Sequence, residues 1–154
     1  MSGFIANGGS AEPFTLVNDG WFPDIDADHL RAALRLDSSI TNARLEVAAV
    51  NAMITVNREL AQYKAREQAN GYAALVDVPA VSIKGESELV HLYRRAVYCS
   101  AGAELAERYR SYDSTADGNQ RADDLTPSVD EYRRDARWAI RDLLGAVRTT
   151  VELI

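Results

Sequence analysis

Apolar residues recur at steps of three and four along most of this chain, the spacing that gathers them on one face of an α-helix. The first such stretch is short: Leu30, Ala33 and Leu34 share a face. Asp26 stands ahead of them as a cap whose carboxylate accepts a free backbone N–H. Asp28 adds negative charge to the first turn, where the helix dipole favours it. This helix is expected to end near Leu36, with Asp37-Ser38-Ser39 as a turn. A longer stripe follows through Leu45, Ala48, Ala49, Ala52, Met53, Val56, Leu60 and Tyr63. With Thr41 as its cap and Gly71 as a left-handed residue past its end, it predicts one helix to about Asn70. At 1.5 Å per residue that is a rod of roughly 40 Å.

Tyr72 to Lys84 breaks the pattern. Val76, Val78, Val81 and Ile83 around Pro79 suit an extended edge segment, but no second strand run is evident to pair with it, so no β-sheet is expected. Gly85 to Tyr112 reads as the next helix, with Leu89, Leu92, Tyr93, Ala96, Val97, Cys99, Ala103, Ala106 and Tyr109 inward. Gly102 weakens its middle by about 1 kcal/mol relative to alanine, unless it permits another helix to come close. Glu104 and Arg108 form an i,i+4 pair on the outer side. The last stripe is Ala122, Leu125, Val129, Tyr132, Ala136, Ala139, Ile140 and Leu143. It runs through Pro127, which leaves two readings. One is a long helix kinked near Asp124. The other is a fresh helix capped by Ser128, with Glu131 completing a capping box. The unbroken stripe favours the first.

The fold class is therefore all-α: a bundle of three long helices and one short N-terminal helix, with extended arms at both ends. Residues 1–20 hold four of the nine glycines and read as a flexible N-terminal arm. Within it, Thr15-Leu16-Val17 could add a short strand to a neighbour. Residues 21–145 form the helical domain. Residues 146–154 are a tail that alternates through Val147, Thr149, Val151 and Leu153 and has no helix to join.

Composition narrows the function. The 154 residues suit a single domain, and 47% apolar with 26% charged residues is ordinary for a globular chain. The net charge of −6 argues against grasping nucleic acid electrostatically. One cysteine excludes an internal disulfide, and one cysteine with two histidines is too few for a structural zinc site. No cofactor is implied. No apolar run is long enough for a membrane span, and the start of the chain lacks the features of a secretory signal. A soluble intracellular protein is expected.

Candidate chemistry is sparse. His29 beside Asp26 and Asp28 is better read as a surface histidine than as a metal ligand. His91 and Cys99 are about two turns apart on one helix, roughly 12 Å, beyond nucleophile–base contact. Cys99 reads as a small buried hydrophobe. Asp24, Asp26 and Asp28 alternate like part of a calcium loop but lack its glycine and its later bidentate glutamate, so capping accounts for them better.

Charge is, however, unevenly placed. Arg133, Arg137 and Arg141 fall at i, i+4 and i+8, with Arg134 beside them. Aspartates concentrate earlier, at Asp24, Asp26 and Asp28. Either the arginines line a solvated face, with Asp130 and Arg134 as an i,i+4 pair, or the basic stripe of one copy meets the acidic patch of the next head to tail. Heterologous contacts that close make rings.

Five blocks carry a resemblance: DGWFPDI at Asp19–Ile25, RLDSSIT at Arg35–Thr41, GESELVHLYRRAVYC at Gly85–Cys99, YRRDARWAIRDLLG at Tyr132–Gly145 and RTTVELI at Arg148–Ile154. In these the chain resembles the head completion proteins (gpL family) of temperate, contractile-tailed bacteriophages. The resemblance implies a virion structural protein of the head-tail neck, present in the host cytoplasm before assembly. It implies binding to the portal protein after DNA packaging, retention of the DNA, and a platform for tail connector or terminator proteins. It implies a homo-oligomeric ring of about twelve copies, through which DNA passes without sequence-specific binding. It supplies no catalytic residues. On this reading Arg148, Thr149, Thr150, Val151, Glu152, Leu153 and Ile154 form a portal-docking tail, as a groove ligand or an added strand. Arg133, Arg134, Arg137 and Arg141 then meet Asp24, Asp26 and Asp28 of a neighbouring copy. Without the resemblance, the alternative is an acidic helical inhibitor that mimics DNA.

Overall fold

The computed structural model describes residues 14–110 and 127–145. The chain is mostly helical. Helix α1 spans Ala27–Ala33, α2 Asn42–Glu59, α3 Ala61–Ala69, α4 Glu88–Arg110 and α5 Val129–Leu143. A 3-10 turn covers Leu75–Asp77. Helix α4 packs against both α2 and α5 and forms the middle of the molecule.

Local chemistry sets these boundaries. Asp26 caps α1, its Oδ1 accepting from the His29 N–H at 2.9 Å, and Thr41 caps α2 by accepting from the Arg44 N–H. Helix α1 stops at Ala33, earlier than its apolar spacing suggests, because Arg35 adopts a left-handed conformation with φ 55°. The Arg35 N–H then reaches Ala32 O at 3.1 Å and the Leu36 N–H reaches Arg31 O at 3.0 Å, the paired bonds of a Schellman ending. Gly71 closes α3 in the same way, at φ 98°.

The single rod expected from Thr41 to Asn70 is two helices. Leu60 leaves helical geometry at φ −92°, ψ 5°. No glycine or proline marks the break, and Val56, Leu60 and Tyr63 stay buried across it, so periodicity runs through it unseen. The favoured reading of the last stripe is also overturned. Helix α5 starts at Val129: Ser128 Oγ accepts from the Glu131 N–H at 3.2 Å, and Glu131 Oε2 accepts from the Ser128 N–H at 2.8 Å. That capping box satisfies two free donors that a helix continued through Pro127 would leave to other partners. Ala122 and Leu125 lie outside the described residues.

Two short antiparallel ladders correct the expectation of no β-structure. Strand β1 (Thr15–Leu16) pairs with β2 (Ile25–Asp26), Thr15 opposite Asp26 and Leu16 opposite Ile25. The Thr15-Leu16 segment therefore pairs within its own chain. Strand β3 (Ser82–Ile83) pairs with β4 (Glu86–Ser87), joined by Lys84-Gly85. Both linking residues are left-handed, at φ 56° and 79°, as a two-residue hairpin loop of type I′ requires. Strands of two residues are too short to show alternation, which is why the pattern hides them. Helix α4 accordingly begins at Glu88, after the hairpin.

The core is continuous from the N-terminal segment through α2, α4 and α5. Residues 14–20, placed in the arm by composition, lie on the body, with Leu16 buried; residues 1–13 lie outside the described residues. Asp19 Oδ1 accepts from the Trp21 and Phe22 N–H groups at 3.0 and 2.9 Å, turning the chain inward. Trp21 meets Phe22 edge to face at 4.8 Å, and Phe22 stacks on Tyr93 at 4.7 Å. Tyr93, Ile25, Leu30, Leu45, Leu60 and Val97 are fully buried, each aliphatic one contributing about 1.5–3 kcal/mol relative to exposure. Gly102 permits a close approach: a Cβ there would lie 3.0 Å from Tyr132 Cε1 and 3.2 Å from Leu34 Cδ2. Leu34 of the α1 end and Tyr132 of α5 thus meet over one glycine of α4.

Candidate interaction surfaces

Helix α5 presents the expected basic stripe, and the structure divides it. Arg133, Arg134, Arg137 and Arg141 are all exposed. Arg133 and Arg137 line a groove of about 420 Å³ that crosses α4, with α2 on its other side. Ala52, Ala103, Ala136 and Ile140 give the groove its apolar lining, and Glu59, Glu104 and Glu107 bring carboxylates to it. Arg133 Nη2 pairs with Glu107 at 2.9 Å. Glu104 pairs with Arg108 at 2.9 Å, the i,i+4 contact that the spacing predicts, and also accepts from Asn51 Nδ2 of α2 at 3.2 Å. Arg134 is occupied elsewhere. It stacks over Trp138 at 4.8 Å and pairs with Asp135 at 3.1 Å, rather than with Asp130.

The aspartates of the acidic patch each close a local element. Asp24 Oδ1 accepts from the Asn18 N–H at 2.8 Å, Asp26 caps α1, and Asp28 Oδ2 accepts from the Phe14 N–H at 3.4 Å. All three are exposed, so these bonds leave oxygens facing outward. The tail Arg148–Ile154 lies outside the described residues.

The periodic reading missed one surface. Val47, Val50 and Ile54 project from α2 at i, i+3 and i+7, and are 52%, 37% and 50% exposed. The signal was present as a second apolar stripe beside the core stripe. Spacing tells which positions share a face, not which face is covered. Apolar side chains aligned in this way favour contact with another surface.

The two histidines and the cysteine have local partners. His29 Nδ1 lies 2.8 Å from the Tyr98 hydroxyl, and His91 Nε2 lies 2.9 Å from Ile83 O. Burial pushes the Cys99 thiol up, away from the reactive thiolate. Among the described residues no cluster of three or more His, Cys, Asp or Glu side chains could hold a metal ion. No described helix is long and apolar enough to cross a membrane.

Comparison with known proteins places the chain in a family. The chain is 42% identical over 139 residues to the head completion/stabilization protein of Escherichia phage P2, a span covering 90% of this chain and 82% of that protein. No solved structure matches it. The family model for the phage head completion protein (GPL) matches residues 16–154, from the first buried residue of β1 to the last residue of the sequence, and the chain belongs to that family.

Proposed function

We propose that this chain completes the packaged phage head by binding the portal vertex as a ring, helping retain the DNA and offering a platform to tail connector or terminator proteins. Membership of the head completion family carries this reading. The surfaces support it. A virion structural protein works through contacts, and the described residues present exposed apolar and charged faces.

Within the ring, of about twelve copies, the Val47-Val50-Ile54 face of α2 supplies apolar contact between neighbours. Arg133, Arg137 and Arg141, with Arg134, meet Asp24, Asp26 and Asp28 of the next copy, and charge complementarity sets the register. The remaining negative charge faces the channel, where it repels phosphate and lets DNA slide.

The C-terminal residues Arg148–Ile154 dock on the portal. A chain ending at Val147 tests this assignment by co-sedimentation with purified portal rings. The truncated protein is expected to keep its helical circular dichroism and lose the rings. Normal co-sedimentation by the truncated chain would contradict it.

A further inference from the structure

On the face of α4 opposite the groove lies a cleft of about 1120 Å³. The end of α1, the β3–β4 hairpin, the first half of α4 and the start of α5 enclose it. Among the described residues, four fixed cations line it, Arg35, Lys84, Arg94 and Arg95, against one carboxylate, Glu86. A chain with a net charge of −6 has therefore gathered cations at one concave place.

Two of those cations sit where glycine belongs. Arg35 and Lys84 are the non-glycine residues with positive φ among the described residues. They lie on separate elements, yet both line this cleft. L-residues adopt that conformation at a steric cost that glycine avoids. Strain of this kind persists where the surrounding structure imposes it, here the ending of α1 and the β3–β4 turn, and it sets both side chains beside the cleft. Neither residue has an ion-pair partner among the described residues.

The other cations are held as a platform. Arg94 makes a bidentate bond to Glu86 at 2.8 and 2.9 Å, and Arg95 lies 3.8 Å from Asp135. The lining is apolar as well as basic: Leu34, Tyr98 and Tyr132 are 8% exposed each, and Cys99 lies beside them half-buried.

We propose that this cleft is a docking site for an acidic segment of a protein partner that also carries an apolar or aromatic side chain. The carboxylates would meet Arg35 and Lys84, and the apolar side chain would lie against Tyr98 and Tyr132. Duplex DNA is the poorer fit. It is bound by phosphate contacts spread along its backbone, whereas this site is concave and has an apolar lining. The inference goes beyond the portal-docking assignment and does not depend on it.

The test uses the full chain and a fluorescein-labelled peptide of aspartates flanking a phenylalanine, with an asparagine version as control. Arg35→Gly and Lys84→Asn remove the charges with residues that suit the backbone, so neither variant should impair folding. Anisotropy should show binding of the acidic peptide over the control. It should weaken about threefold in each variant and about tenfold in the double variant, and be kept in Arg35→Lys and Lys84→Arg. Equal binding of the two peptides, or no effect of the variants, would overturn the proposal. So would stronger competition by duplex DNA, which would make the cleft a nucleic-acid site. Tighter binding of a peptide matching residues 113–125 of this chain would also overturn it, since the cleft would then be filled by the protein itself.

Discussion

The Tyr93 hydroxyl donates a hydrogen bond of 2.7 Å to Asn57 Oδ1, joining α4 to α2 inside the protein. Asn18 closes the circuit. Its Nδ2 donates to the Tyr93 hydroxyl at 2.7 Å, and its Oδ1 accepts from Asn57 Nδ2 at 2.8 Å. Each side chain donates to the next and accepts from the last. Burial raises the Tyr93 pKa far above that of an ordinary phenol, so the hydroxyl stays protonated as the donor. Three segments distant in sequence are thereby pinned at one point, and the Trp21–Phe22 cluster packs beside it through the Phe22–Tyr93 stack.

Tyr93→Phe keeps the ring and opens this circuit. Asn18 and Asn57 then each lose a partner in a partly buried place, which costs about 1–3 kcal/mol. Urea unfolding should show a lower midpoint with an unchanged slope. A double-mutant cycle with Asn57→Ala should give a coupling energy of about 0.5–3 kcal/mol. Additive losses would mean that the circuit does not act as a unit.

Gly102→Ala sets two effects against each other. Alanine gains about 1 kcal/mol in helix propensity, and the methyl group forces back the Tyr132 ring and Leu34 at a cost of about 1–3 kcal/mol. A net loss near 1 kcal/mol is expected. In a Tyr132→Leu background the steric cost should shrink, and the same substitution should become less harmful or stabilising. Thermal unfolding of the four variants checks the change.

Arg35→Gly and Lys84→Asn should both stabilise the chain. Each relieves a left-handed residue that costs about 1–2 kcal/mol, partly offset for glycine by its extra freedom in the unfolded state. The second also creates the Asn-Gly pair favoured in type I′ hairpins. A gain of about 0.5–1 kcal/mol each is expected in chemical denaturation. Destabilisation would mean that these side chains hold the fold together.

Asp19 gives a pH signature. Burial works against its ionisation, but the Lys64 ammonium at 2.7 Å and the backbone N–H groups of Phe22 and Trp21 outweigh it, and its pKa lies below the usual range. A carboxylate depressed in the folded state stabilises above its unfolded pKa of about 3.9 and loses that contribution as pH falls through the lower folded value. Asp19→Asn keeps an acceptor for the backbone and loses the ion pair. The wild-type advantage should be constant from pH 7 to about pH 5 and shrink below about pH 4. An advantage unchanged down to pH 2 would contradict this.

Much of the helical body was legible because its information is periodic. Leu45, Ala48, Ala49, Ala52, Met53 and Val56 are buried as their spacing requires, and Asp26 and Thr41 cap as their chemistry requires. What was not legible depends on single residues acting through distant partners. Leu60 breaks a helix without a breaker residue. Lys84 turns a hairpin where asparagine or glycine is usual. Asp19 and Gly20 turn Trp21 and Phe22 into the core from a glycine-rich segment that reads as an arm. Of the proposed surfaces, the arginines and aspartates were visible as charge clusters. That Arg133 turns to Glu107 and Arg134 to Trp138 was not, because those partners are set by packing.

The central claim is tested most directly by particles assembled without this protein. Electron microscopy and nuclease protection would be read together. The account predicts heads that fill with DNA, then lose it to nuclease, and do not join tails, with both defects corrected by supplying the chain. Heads that never fill would assign the protein to an earlier step. Filled heads that keep their DNA and join tails would contradict the account outright.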